Sequence, residues 1–169
     1  MVLNGEHLQL KTLIPAMVTQ KYVNWMNDFD IMRYTESRFR RYTIESVTQY
    51  VQDISGSSND YFYGIFLGNE HIGNIKLHTD MYHKLGDIGI LIGDKTKWGN
   101  GYATEAIKIV TKHGFETLEL HKISAGIYAN NKGSIKAFEK AGYVEDGLHK
   151  ATYLYEGEYV DEIIMSKFK

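Results

Sequence analysis

Nine consecutive residues, Trp98-Gly99-Asn100-Gly101-Tyr102-Ala103-Thr104-Glu105-Ala106, carry the densest chemical pattern in the chain. A strand-like run, Ile88 to Ile92, leads toward them, and a helical pattern begins near Ala103. A glycine pair between a strand and a helix start is a device for holding phosphate. Glycine has no Cβ, so its amide can approach a ligand closely. The first amides of a helix lack intrahelical partners and sit at the positive end of its dipole. Together they make an anion site. A P-loop would need Lys and then Ser or Thr after its last glycine, but Tyr102 and Ala103 follow Gly101. A dinucleotide fingerprint would need Gly or Ala where Thr104 stands, at the first strand–helix turn of a βαβ unit. Two readings remain at this point: a cradle for another phosphate-bearing ligand, or a tight turn that only caps a structural helix.

The elements that must position this loop follow from periodicity. Leu8 and Leu10 alternate with polar residues, so the first dozen residues read as one strand. Ala16 to Asn27 is loosely helical. Thr43 to Ile54 is a clearer helix, with Thr43 as N-cap and apolar residues recurring at three and four. Tyr61 to Leu67 and His71 to His78 read as strands joined by Gly68-Asn69. Gly86 to Gly93 is a further strand. After the loop, Ala103, Ala106, Ile107, Val110, Gly114 and Leu118 share one helical face. A strand over His121 to Ala129 and a short helix over Ser134 to Ala141 come next, with Gly142 at the C′ position. Two last strands, Tyr143 to Tyr155 and Tyr159 to Phe168, flank a Glu156-Gly157-Glu158 turn. The order is mixed α/β, with hairpins ahead of the loop.

The 169 residues suit one domain, residues 1–169, and the net charge of −2 gives no reason to expect a nucleic acid partner. Cysteine is absent, which removes disulfides, thiolate metal sites and a Cys nucleophile. No apolar run approaches the roughly 20 residues of a membrane span. The first ten residues do not read as a signal peptide, so a cytoplasmic protein without a membrane partner is expected. The seven His lack metal-ligand spacing, and no metal is expected; His113 and His121 read as structural.

The string Thr96 to Ala106 resembles the acyl-CoA loop of the GNAT acetyltransferases, most closely the ribosomal-protein N-terminal acetyltransferase branch. Asn130-Asn131-Lys132-Gly133-Ser134 and Phe138-Glu139-Lys140-Ala141-Gly142-Tyr143 resemble the second signature of that family, and Gly157 through Met165 its ending. The resemblance runs over nearly the whole chain. It implies a GNAT fold: a mostly antiparallel sheet of about seven strands, splayed between the fourth and fifth, with four helices. It also implies an acetyl-CoA-dependent N-acetyltransferase in which a primary amine attacks the thioester directly. Cofactor contacts would come from Ile90, Ile92, Trp98, Gly99, Asn100, Gly101, Tyr102, Ala103, Asn131 and Ser134.

The reaction sets three requirements. The thioester carbonyl needs a donor, and a bulge at Gly89 and Gly93 would free the amide of Leu91 for it. The amine must be neutral. A lysine-like amine, with a pKa of about 10.4, is almost wholly protonated at pH 7, whereas an α-amine near 7.7–8.0 is roughly a tenth neutral. Asp87 is the first candidate base, followed by Asp161 and Glu36, and each also reads as a surface carboxylate. The departing thiolate benefits from a proton. Many members of the family use a Tyr where this chain has Phe138, so Ser134 is the candidate donor; it reads equally as the N-cap of its helix. Asn131 reads as a pantetheine contact or a turn residue.

The acceptor, by resemblance, lies over the first helices, which brings in Trp25, Tyr34, Glu36, Arg38 and Arg40. Four Arg among aromatics suit phosphate or carboxylate, or are a solvated face. The acceptor is expected to be a small-molecule or peptide amine, either a protein N-terminus or an amino-sugar nucleotide, with a homodimer left open. The alternative is a non-catalytic acyl-CoA-binding or nucleotide-binding regulatory module.

Overall fold

Alternation of buried and exposed residues builds a single sheet whose strands all pair in one order. A computed structural model describes residues Met1–Lys169. The strands are β1 (Val2–Asn4), β2 (Leu8–Thr12), β3 (Asp60–Leu67), β4 (Glu70–Asp80), β5 (Leu85–Ile92), β6 (Lys122–Tyr128), β7 (Val144–Tyr155) and β8 (Glu158–Phe168). The helices are α1 (Gln20–Met26), α2 (Phe29–Met32), α3 (Ile44–Ser55), α4 (Tyr102–Glu116) and α5 (Lys132–Lys140). The sheet order is β1-β2-β3-β4-β5-β6-β8-β7. Every neighbouring pair is antiparallel except β5–β6, which α4 connects in parallel.

The element count exceeds the sequence expectation by one strand and one helix. The N-terminal dozen splits into two strands because Gly5 turns the chain, its N–H bonded to Leu8 O at 2.8 Å. The extra helix, α2, is a single turn that Asp28 caps through the N–H groups of Asp30 and Ile31. Other local signals are realised as the sequence spells them. Thr43 and Ser46 form a capping box on α3. Gly142, at φ 87, ends α5 with Tyr143 N–H bonded to Phe138 O and Gly142 N–H to Glu139 O.

Apolar side chains cover both faces. Ile75, Leu77, Ile88, Ile123 and Phe138 pack with Ala106, Ile107 and Val110 of α4 on one face. Tyr22, Val23, Trp25, Val47, Val51 and Phe62 fill the other, beneath α1 and α3. Each such side chain contributes about 1.5–3 kcal/mol on burial, an upper range for a chain that is partly compact when unfolded. The two layers fix β5 and β6 firmly at one end only. Their pairing covers Leu85↔Lys122, Gly86↔Ile123 and Asp87↔Ser124, and then stops. Beyond Asp87 the strands part, and the sheet has a V-shaped gap.

Candidate active site

The gap leaves main-chain groups of β5 without a strand partner. β5 pairs with β4 in unbroken register from Leu85 to Ile92, so no bulge exists at Gly89. The irregularity comes one step later, where the N–H groups of Gly93 and Asp94 both reach Ile72 O, at 2.9 and 3.1 Å. Gly93 is required there, because a Cβ would lie 2.1 Å from the Trp25 ring. Strict alternation then decides which groups are free. Leu91 O faces Gly73 on β4, so the Leu91 amide points into the sheet. Ile92 O faces the other way and accepts the Trp98 indole N–H at 2.8 Å. The donor expected at Leu91 is therefore corrected. Without a bulge at Gly89, the amides of Ile90 and Ile92 are the ones turned to the open edge.

The glycine loop closes the far end of the gap. Gly99 and Gly101 have φ of 75 and 83, and nothing lies within 4 Å of a Cβ built at either. Gly101 is the N-cap of α4 and offers no side chain, so the first amides of a fifteen-residue helix face open space. The indole bond holds Trp98 against β5. Asn100 donates to Trp98 O at 3.1 Å and braces the turn.

A cavity of about 600 Å³ joins these parts. Its walls include Ile90, Leu91, Ile92, Trp98, Gly99, Gly101, Tyr102, Ala103, Asn131 and Ser134. All the expected cofactor residues except Asn100 thus line one cleft. The cleft suits coenzyme A on its own chemistry. It offers a side-chain-free cradle for pyrophosphate and unpaired strand amides for the pantetheine amides. Asn130 Oδ1 adds a buried acceptor without a partner. The group would supply an acyl thioester.

At Ser134 the structure separates the two readings. Asn131 is the N-cap of α5, and its Oδ1 accepts the Ser134 N–H at 3.2 Å. Ser134 is therefore the third helical residue rather than the cap, because the helix starts two residues earlier than expected, at Lys132. Its hydroxyl has no protein partner and lines the cleft. Phe138 points the other way, 1% exposed, with its ring against Tyr143.

Carboxylates gather on the α1–α3 side of the gap. Continuing the β5–β6 offset would set Gly89 opposite Gly126, so neither strand presents a side chain there. Glu162 of β8 lies across Gly126 instead: a Cβ at Gly126 would sit 2.2 Å from Glu162 Oε1. Tyr153 OH donates to Glu162 Oε1 at 2.5 Å, and His149 Nδ1 is 2.8 Å from Oε2. Tyr153 stacks on Tyr128 at 3.9 Å, and the Tyr128 hydroxyl donates to Glu36. Burial, then the bond to Glu36, pushes the Tyr128 phenol up to about 12, against the pull of Arg38. Asp87 occupies the last paired position. It keeps exposed surface, but partial desolvation of its carboxyl raises its pKa, opposed by His78 and Lys76 and reinforced by Glu162. Asp161 is occupied elsewhere, accepting the Ala151 N–H at 2.8 Å. Sequence periodicity gave Glu162 no distinction. Only the missing Cβ of Gly126, on the neighbouring strand β6, makes room for it.

The expected acceptor residues divide. Tyr34 stacks on Tyr155 at 5.3 Å and lines the cleft; Glu36 meets Tyr128. Trp25 is corrected to a core residue, 5% exposed, packed on Tyr22 and His71. Arg38 is corrected to a clamp. Its guanidinium donates to the carbonyls of Arg33 and Thr35 at 3.0 and 3.3 Å and to Tyr128 OH and Leu154 O, each at 2.6 Å. Arg40 lies with Arg41 on a separate groove of about 820 Å³ between α1, α2 and α3, whose lining includes no residue of the glycine loop. Local arginine density did not predict this division because each side chain follows a different turn of backbone.

Known proteins match this arrangement. Residues 8–144 match the family model for the acetyltransferase (GNAT) domain. A probable N-acetyltransferase of Bacillus subtilis, YjcK, is 30% identical over 133 residues, covering 74% of this chain and 72% of that protein. The fold of RimL, a ribosomal L7/L12 α-N-protein acetyltransferase solved with coenzyme A, superposes with a TM-score of 0.89 at 15% identity, over 99% of this chain and 98% of that one. Spermidine N-acetyltransferase from Vibrio cholerae, solved with CoA and spermine, gives 0.85 at 21% identity, over 96% and 95%. The parted strands, the glycine cradle and the sequence match lead to one conclusion: this chain belongs to the GNAT family of N-acetyltransferases.

Proposed function

We propose that the chain transfers an acetyl group from acetyl-CoA to a primary amine that carries positive charge, by direct attack of the amine on the thioester. The observation that supports this best is the position of Glu162 across Gly126, where β5 and β6 part. In this reading Glu162 takes a proton from the bound ammonium and leaves it nucleophilic; Asp87 adds negative charge on the same side. The amides of Ile90 and Ile92 hold the pantetheine arm and receive charge developing on the thioester oxygen. The Ser134 hydroxyl gives its hydrogen bond to the departing sulfur. A thiolate with a pKa near 8.5 leaves without a strong acid, so a hydroxyl suffices.

The charge beside the parted strands, next to the cleft, guides the acceptor class. Glu36, Asp87 and Glu162 ring a wall of Tyr34, Tyr128, Tyr153 and Tyr155. Carboxylates and aromatic faces favour an alkylammonium group. Arg38, spent on four internal bonds, offers nothing to the diphosphate of an amino-sugar nucleotide. A polyamine fits best; a relative over 57% of this chain is a spermidine N(1)-acetyltransferase. A peptide α-amine is the second reading, because an α-amine with a pKa near 7.7–8.0 is partly neutral at pH 7 and needs less help from a base. A thiol-release assay with acetyl-CoA against polyamines, N-terminal peptides, aminoglycosides and amino-sugar nucleotides tests the choice. Turnover is expected with polyamines. Preference for an amino-sugar nucleotide would overturn the acceptor class, and no turnover with any amine would overturn the catalytic reading.

A further inference from the structure

Glu162 is held by two residues that a regular strand would set about 13 Å apart, His149 and Tyr153 of β7. The strand pairing brings them together. His149 stands opposite Glu162 and Tyr153 opposite Val160, so β7 uses four residues where β8 uses two. The surplus is a bulge over Lys150 to Thr152, with Ala151 at φ 51. A residue with a side chain is strained there and persists only where its surroundings hold it. Asp161 accepts the Ala151 N–H at 2.8 Å, and Thr152 Oγ1 donates to His149 O at 3.1 Å. Bulges beside active sites re-aim side chains, and this one sets two on a single carboxylate. The two partners differ in what they can do. Burial, then the bond to Glu162, pushes the Tyr153 phenol well above its ordinary value, so it stays protonated and only donates. His149 can take a proton. Its side chain is 64% exposed against 15% for Glu162, and its Nε2 has no protein partner.

We propose that His149 is the outlet for the proton that Glu162 removes from the acceptor amine. The inference rests on the reading of Glu162 as the base. An ammonium proton moves to the Glu162 carboxylate, and the amine keeps the lone pair that attacks the thioester. In its Nε2–H tautomer, His149 then accepts the proton from Glu162 Oε2 at Nδ1. The imidazolium releases a proton from Nε2 to water, and exchange with solvent restores the tautomer. The order of stations is from the covered carboxylate to the exposed ring. Imidazole suits the outer station because it gains and loses a proton near neutral pH. It is also the better sink. An ordinary imidazole, at about 6.5, holds a proton about a hundredfold better than an ordinary carboxylate at about 4.3. Transfer onward to His149 therefore favours the neutral form of an alkylamine by about the same factor. His149 touches no reacting atom; it acts through Glu162 by positioning the proton.

Steady-state kinetics of His149→Ala and His149→Asn test this, with acetyl-CoA and spermidine or the fastest amine of the screen above. Asparagine keeps a donor near the place of Nδ1 but relays no proton. Both variants should lose about tenfold to a hundredfold in kcat, with the KM for acetyl-CoA little changed. Free imidazole should restore His149→Ala in proportion to its concentration and leave the wild type and Glu162→Gln as they were. Melting curves check that the substitutions at this exposed position leave the fold intact. Wild-type kcat in His149→Asn, or a loss in folded His149→Ala that imidazole does not reverse, would overturn the outlet. A slow Glu162→Gln beside that result would leave the base reading standing. Full turnover in Glu162→Gln, or no amine acetylated by the wild type, would overturn the base reading and the outlet with it.

Discussion

Glu162 reaches the gap in the sheet only because residue 126 has no side chain: a Cβ there would lie 2.2 Å from Glu162 Oε1. Two independent substitutions should therefore have one kinetic signature. Glu162→Gln removes the base and Gly126→Ala pushes it aside. Each should lower kcat by roughly 10²–10⁴ and shift the KM for acetyl-CoA little, if a positioned base is what the carboxylate supplies. Steady-state kinetics at saturating acetyl-CoA measure both. Normal turnover in Glu162→Gln would transfer the role to Asp87, which Asp87→Asn then checks.

Ser134 and Asn131 divide two functions that one residue seemed able to hold. Ser134→Ala removes a hydroxyl without protein partners, so kcat should drop about tenfold or more while the melting temperature stays within a degree or two. Asn131→Ala removes the cap of α5 and should cost about 1 kcal/mol of stability. Parallel kinetics and denaturant unfolding separate the two. A normal rate for Ser134→Ala would leave that hydroxyl no chemical part.

Gly101 sits at φ 83 at the head of α4, facing open space. Gly101→Asp brings both backbone strain and a carboxylate into the anion cradle. Affinity for acetyl-CoA should weaken by about tenfold or more, since a like charge at a helix N-terminus opposes the phosphate. Unchanged affinity in a binding titration would move the pyrophosphate away from this loop.

Arg38 ties the turn after α2 to β6 and β7. Arg38→Ala should leave Tyr128 OH and Leu154 O without that partner and destabilise the chain by about 1–3 kcal/mol. Arg38→Lys should recover only part of this, because one ammonium cannot span four acceptors. Denaturant unfolding checks the order. A purely kinetic defect toward an anionic acceptor would restore Arg38 to substrate binding.

Stability should fall as the medium becomes mildly acidic. His113, buried against Tyr61 and Tyr63 with Nε2 unpartnered, and His71, between Phe66 and Trp25, both have pKa values lowered from 6.5 by burial. The unfolded chain takes up protons that the folded chain refuses. Stability is thus full above about 6.5 and declines as pH drops from there through the folded-state values. Each histidine contributes at most about 1.4 kcal/mol per pH unit in that window. Unfolding at several pH values should show a shallower slope for His113→Phe than for the wild type.

Much of this molecule is legible in short segments. Thr43, Gly68-Asn69, Gly142 and the glycine loop each act within a few residues, through capping, turn geometry and φ, so their signals survive in one dimension. The residues expected to hold the cofactor gather in one cleft for the same reason: Trp98, Gly99, Gly101 to Ala103, and Asn131 to Ser134 lie in two compact runs along its walls. The start of α5 was displaced by two residues because Asn131 and Ser134 are both competent caps, and only the helix hydrogen bonds choose.

The acceptor side obeys different physics. Sequence alone determined most of the elements, the glycine loop between β5 and α4 and, through its motifs, the family, because each depends on local backbone preference and on residue types close in the chain. The tertiary structure decided where β5 and β6 cease to pair, which way Leu91 turns its amide, and that Trp25 and Arg38 serve the scaffold. It also brought Glu162, Tyr153 and His149 from two C-terminal strands to a glycine on a third. These are consequences of register and close approach between distant segments. A one-residue change in pairing would reverse them while leaving every local signal in the sequence intact.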